Sequence, residues 1–208
     1  MRIGVLALQG GFIEHISILA KLGVTATPVY KPDELEGIGG LIIPGGESTT
    51  MLNLMHSFSI FEPLRDKARD GLPVMGTCAG MVLLAKEVSN PVMETLTLID
   101  ISVKRNAFGR QINSFEASVD IPLLGKEPFP AIFIRAPLIE CASPNIEILG
   151  RLDDGTVVAV RQERLLAVSF HPELGQDTRL HHYFLKIAAS CLKEEKVKSV
   201  PGVTIPAD

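Results

Sequence analysis

The sequence predicts an α/β fold: a three-layer, open, mostly parallel sheet flanked by helices, with antiparallel strands added in its second half. Two observations carry this reading. In the first half, short apolar runs alternate with stretches whose apolar residues recur at helical spacing, as strand–helix–strand units require. From Leu96 onward the apolar runs follow one another closely, with turn residues between them, which is the texture of hairpins.

Residues 3–8 open the chain as a buried strand, and residues 12–22 follow as a helix with Phe12, Ile16, Leu19 and Ala20 on its apolar side. Residues 25–29 and 40–43 read as the next strands. Residues 49–56 and 60–70 read as helices, the first entered through Pro44-Gly45-Gly46-Glu47-Ser48-Thr49-Thr50 with Ser or Thr as its cap. Residues 73–77 form a fourth strand, and a helix over 81–87 follows a sharp turn. The later runs are 96–104, 115–121, 131–135, 146–152, 157–162 and 165–170, with Asp153-Asp154-Gly155 as a turn. A helix over 178–195 closes one domain spanning 1–195. Residues 196–208, with Pro201, Gly202 and Pro206, read as a mobile tail.

The chemistry is concentrated in three segments. Gly76-Thr77-Cys78-Ala79-Gly80 sets a cysteine between small residues where a strand turns into a helix. Such an elbow exposes the thiol and aims a helix N-terminus at it, which favours thiolate, and the flanking glycines meet the steric demand of the turn. His171-Pro172-Glu173 follows the apolar run 165–170. Residues two apart in extended chain face the same way, so His171 can reach the thiol while Glu173 orients the imidazole. The Gly45-Gly46 pair lets backbone amides approach a ligand oxygen, and an oxyanion site would combine Gly46 with the amide of Ala79, just after the nucleophile.

Composition limits the alternatives. With 208 residues, 46% of them hydrophobic, the chain can bury one substantial core. A net charge of -4 and a pI near 5.8, with no basic cluster among aromatics, argue against nucleic acid as a partner. Three cysteines without tight spacing suit a reducing compartment, and Cys141 and Cys191 read as structural. The first apolar run is too short for a signal segment or a membrane span, so the expectation is a cytoplasmic protein. His181 and His182 are adjacent on one helix and diverge, so a shared metal site is not expected. His15 and His56 lack ligand-spaced partners and read as packed or solvated, His15 with the option of a partner surface.

Gly-Thr-Cys-Ala-Gly, Pro-Gly-Gly-Glu-Ser-Thr-Thr and Ser-Phe-His-Pro-Glu together resemble the class I, or triad, glutamine amidotransferases, whose fold is flavodoxin-like. More narrowly, Leu8-Gln9-Gly10, the segment from Arg105 to Gln111, Ser114-Phe115-Glu116 and Phe133-Ile134-Arg135-Ala136-Pro137 are similar to the glutaminase subunits of pyridoxal 5'-phosphate synthase, over residues 1–192. The resemblance implies hydrolysis of L-glutamine to glutamate and ammonia, with no cofactor and no metal, and a separate synthase subunit as the partner that consumes the ammonia. It assigns Cys78 as nucleophile, His171 as acid and base, and Glu173 as its partner. Gly46, Glu47, Ser48, Arg105, Ile134 and Arg135 correspond to glutamine-binding positions, and Gln9 to a neighbour of the active site and of the subunit interface.

Chemistry supports a glutamine site independently. An α-carboxylate calls for planar charged donors, which Arg105 or Arg135 supplies, and an α-ammonium calls for a carboxylate such as Glu47; which group meets which charge stays open. Gly80 is followed by Met81-Val82-Leu83 rather than by a glutamine two positions on, which disfavours the branches serving guanine nucleotide, anthranilate and histidine synthesis. Two other readings compete: a related cysteine hydrolase such as an intracellular peptidase, marked by cleavage of peptide or γ-glutamyl substrates but not of free glutamine, and a non-catalytic scaffold subunit, against which the intact triad speaks.

Overall fold

The computed structural model describes residues 1–89, 91–105 and 114–198. Its first half runs β1 (Arg2–Leu6), α1 (Phe12–Lys21), β2 (Thr25–Val29), β3 (Leu41–Ile43), α2 (Ser48–Ser57), α3 (Phe61–Arg69), β4 (Val74–Thr77) and α4 (Ala79–Leu84). Then come β5 (Ala85–Ser89), β6 (Ile99–Lys104), β7 (Ser114–Val119), β8 (Phe129–Ile134), β9 (Leu138–Ala142), β10 (Glu147–Arg151), β11 (Val157–Gln162), β12 (Leu165–Val168) and α5 (Arg179–Lys198).

The main sheet has seven strands in the order β10-β11-β12-β4-β3-β1-β2. From β12 to β2 every pairing is parallel, and β11 alone runs against its neighbours. The chain leaves β1 for β2 on one side, then crosses to β3 on the other. That reversal opens a crevice at the carboxyl ends of β1 and β3, where ligands bind in open sheets. The residues just after β12, β4, β3 and β1 therefore stand in a row, one strand spacing of about 4.8 Å apart. Those residues are His171, Cys78, the Gly45-Gly46 pair and Gln9.

Side-chain alternation divides the core between the two faces. Ile3, Val5, Ile42, Met75, Leu166 and Val168 point to one face, packed by α1, α5 and the β7–β8 hairpin. Leu6, Leu41, Ile43, Val74, Val160 and Ala167 point to the other, covered by α2, α3, α4 and a small sheet of β5, β6 and β9. Among the described residues no helix is long and apolar enough to cross a membrane.

Several sequence expectations are corrected. The helix over 81–87 is displaced and shortened: α4 ends at Leu84, because the Leu83 and Leu84 carbonyls accept hydrogen bonds from the backbone of Leu96 (2.8 Å) and Leu98 (3.0 Å). These tertiary bonds replace helical ones, and Ala85 turns extended to start β5. The hairpin runs do not all join the main sheet. Only β10, β11 and β12 do, while β7 and β8 pair with each other and β6 lies between β5, parallel, and β9, antiparallel. Strand β9 was not anticipated, its apolar pattern being interrupted by Glu140 and Cys141. The closing helix runs to Lys198. The tail reading falls largely on 199–208, and most of the Arg105–Gln111 motif on 106–111, both outside the described residues.

Candidate active site

The elbow is enforced by contact. A Cβ on Gly76 would lie 2.6 Å from the Gly80 carbonyl carbon, and one on Gly80 would lie 2.1 Å from the Ile43 carbonyl oxygen, so strand, turn and helix close only around glycines. Cys78 between them holds φ 49° and ψ -104°, a conformation costly for a residue with a Cβ. Its N–H donates to the Val168 carbonyl at 2.8 Å, tying the elbow to the end of β12, and its Sγ faces the Ile134 carbonyl at 3.8 Å.

His171 follows β12 and is anchored by its own N–H, which donates to the Ile132 carbonyl of β8 at 2.8 Å. The chain then enters a 3-10 turn, Pro172–Leu174, rather than staying extended, because Pro172 presets the turn conformation. Glu173 still reaches back: His171 Nδ1 donates to Glu173 Oε1 at 2.7 Å, and the glutamate side chain is only 1% exposed. With Nδ1 committed, Nε2 is the ring nitrogen left for the neighbouring Cys78 thiol. Burial works against the imidazolium, but the thiol and the carboxylate outweigh it and push His171 up to about 10.

A cavity of about 600 Å³ opens from this pair. Its far wall is built by Glu47 and Arg105. Glu47, not Ser or Thr, caps α2, its carboxylate accepting from the backbone of Thr49 (3.1 Å) and Thr50 (2.7 Å) and from the Thr50 hydroxyl (2.7 Å). Partial burial opposes ionisation, yet the Thr50 and Thr49 donors hold Glu47 down at about 2. Arg105 donates to Glu47 Oε1 and to Thr49 Oγ1, each at 3.0 Å. Ser48 is buried and turns its hydroxyl to Met93 Sδ at 3.7 Å.

Gln9 lies beside this wall, its Oε1 accepting from the Glu47 N–H at 2.8 Å across the Gly46 backbone. The Gly45 carbonyl accepts from the Gly11 N–H at 3.0 Å, which fixes the plane of the Gly45–Gly46 peptide. Ala79 opens α4, so its N–H belongs to the helix's unpaired first turn. Ile134 and Arg135 form the exposed rim, Arg135 at φ 45°. Every predicted site residue thus lines one cavity.

Sequence reasoning missed what lies beneath. His15 is not at a surface: it is fully buried, 3.4 Å from Glu173 Oε2 and 2.9 Å from His181. The signal was the spacing 15, 18, 19, which places His15 on the buried side of α1 with Ile18 and Leu19.

Known proteins share this arrangement. A crystal structure described as glutamine amidotransferase superposes with a TM-score of 0.85 at 46% identity, covering 90% of this chain and 98% of its own. The class defined by fold and site is therefore that of the glutamine amidotransferases. Within it, the SNO glutamine amidotransferase family matches residues 5–190, and the chain belongs to that family. Among its relatives, pyridoxal 5'-phosphate synthase subunit PdxT of Dehalococcoides mccartyi is 55% identical over 190 residues, 90% of this chain and 97% of that protein. The protein of the same name from Moorella thermoacetica is 56% identical over 187 residues, 90% and 99% of the two chains.

Proposed function

We propose that this chain is the glutaminase subunit of a pyridoxal 5'-phosphate synthase. It hydrolyses L-glutamine to L-glutamate and ammonia and passes the ammonia to a separate synthase subunit in the cytoplasm. Residues 1–195 act as one catalytic domain. The observation that carries the reading is the line Cys78, His171, Glu173 at the ends of adjacent strands β4 and β12, facing a cavity with a carboxylate and a guanidinium at its far wall.

The Cys78 thiolate attacks the side-chain amide carbon of glutamine, and the carbonyl oxygen becomes an oxyanion held by the amides of Gly46 and Ala79. As the tetrahedral intermediate collapses, the C–N bond breaks and the His171 proton goes to the departing ammonia. Water then attacks the γ-glutamyl thioester, giving its proton to His171, and the C–S bond breaks to return thiolate and glutamate. Glu173 keeps the imidazole in the tautomer that serves both steps. Gly46, Glu47, Ser48, Arg105, Ile134 and Arg135 hold the amino-acid end of the substrate.

The way the glycine loop is held supports partner dependence. The Gly45–Gly46 peptide and the Glu47 N–H are tethered by Gly11 and Gln9, both on the loop between β1 and α1. A synthase docking against that loop would reset the oxyanion amides. The test is glutamate release from L-glutamine with and without a pyridoxal 5'-phosphate synthase subunit, alongside Cys78→Ala. Activity that rises with the synthase and vanishes in Cys78→Ala is expected; equal activity with and without the synthase removes the gating, and none in either case removes the function.

A further inference from the structure

Behind the triad, polar side chains that the reaction scheme leaves unused form a buried file. Glu173 spends Oε1 on His171, whereas its Oε2 is buried and lacks a formed hydrogen bond. His15 Nε2 faces that oxygen at 3.4 Å and also lies 3.3 Å from the hydroxyl of Thr77, the residue before the nucleophile. The other nitrogen of His15, Nδ1, is 2.9 Å from His181 Nε2 on α5, and neither ring is exposed. Four elements thus converge on one point: α1, α5, the end of β4 and the turn that carries Glu173.

Proton accounting orders the file. Burial, then the neighbouring His181 and His171 rings, hold His15 well below its ordinary range, and burial holds His181 at about 4, so both rings are neutral near pH 7. Each neutral ring has one N–H. If His15 gave its hydrogen to His181, a bare ring nitrogen would confront the Glu173 carboxylate, and the N–H of His181 would fall on Nδ1, a buried atom without an acceptor. The opposite order strands only a lone pair at that atom, the smaller cost. His181 Nε2–H then donates to His15 Nδ1, and His15 Nε2–H is directed to Thr77 and Glu173.

We propose that His15, oriented by His181, is a positioning residue for glutamine hydrolysis: its Nε2–H holds Glu173 Oε2, so that the carboxylate presents Oε1 to His171. The proposal rests on the triad reading above. Gly11, one helical turn before His15, closes the other side, since a Cβ there would lie 3.2 Å from Glu173 Oε1. The start of α1 and the loop before it therefore cradle the carboxylate from two positions.

The test uses the full chain with its synthase subunit, as His15→Leu, His15→Gln and His181→Leu. Each variant is followed by melting, by kcat and KM for glutamine, and by the pH dependence of Cys78 alkylation with iodoacetamide. The Gln amide nitrogen occupies roughly the place of Nε2 and keeps a donor. Expected for His15→Leu is a loss of about tenfold or more in kcat, KM within about threefold, and a displaced alkylation profile; His15→Gln should recover kcat to within about threefold of wild type. His181→Leu, which removes only the orienting donor, should displace the profile in the same direction. The proposal is overturned if His15→Leu keeps wild-type kcat, or if folded His15→Gln is as slow as the leucine variant. Should His15→Leu not fold, an undisplaced profile in His181→Leu overturns it. A wild-type chain without glutaminase activity would count against the proposed function instead, while the alkylation profiles would still read the Cys78–His171 pair.

Discussion

At Gly45 the side chains of His171 and Cys78 leave no room for a methyl group. A Cβ there would lie 2.3 Å from His171 Cε1, 2.8 Å from His171 Nδ1 and 3.4 Å from Cys78 Cβ. Ordinary contact begins at 3.4 Å, so in Gly45→Ala the ring must retreat by about 1 Å. Nδ1 is the atom that Glu173 holds at 2.7 Å, so the retreat also disturbs that bond. A misplacement of about 1 Å is worth about 100-fold in rate, roughly 2.7 kcal/mol at the transition state. Stability should change little, because the clash is with the end of a side chain beside an open cavity and Gly45 does not occupy a left-handed conformation; the melting temperature should stay within about 4 °C. The assay is glutamate release at saturating glutamine and synthase. A folded Gly45→Ala protein with kcat within about threefold of wild type would refute the placement of His171.

Gly80→Ala makes the contrasting case, since its Cβ meets the backbone oxygen of Ile43 at 2.1 Å and α4 must lift from β3; a loss of about 1–3 kcal/mol in urea unfolding is expected, and an unchanged midpoint would contradict the packing. Arg105→Met should raise KM for glutamine about tenfold or more while kcat moves less, because in the proposed reading Arg105 holds the amino-acid end of the substrate; a pure kcat effect would place Arg105 elsewhere in the mechanism. His171, raised to about 10 from about 6.5 when unfolded, binds its proton more tightly in the native state. Its stabilisation is therefore complete below about pH 6.5 and is lost as pH rises through about 10. Urea midpoints across that window should fall more steeply for wild type than for Glu173→Gln, and identical slopes would remove the assignment.

The parallel half of the fold was legible because each element writes its own pattern. Thr25–Val29 has the predicted bounds, and Phe12–Lys21 misses by one residue. The candidate site was legible as a place because steric demands at Gly76 and Gly80 leave a visible motif. What escaped depends on distant partners. Nothing local announces that Leu96 and Leu98 will take the carbonyls ending α4, or that β6 will pair with β5 and β9 instead of the main sheet. Glu47 as a cap was hidden by the more usual Ser and Thr beside it. His15 looked isolated because Glu173 and His181 are far along the chain.

The place of β12 in the sheet also bears on how the enzyme comes into being. Strand β4, with Cys78 at its tip, is paired on one side early in synthesis, but the strand on its other side emerges from the ribosome about 90 residues later. Until then the Cys78 thiol has no histidine beside it, and the growing chain carries an open sheet edge there. Insertion of β12 closes that edge and delivers His171 in the same event, so a chain cut short before Leu165 would be prone to aggregate and, on the proposed mechanism, inert.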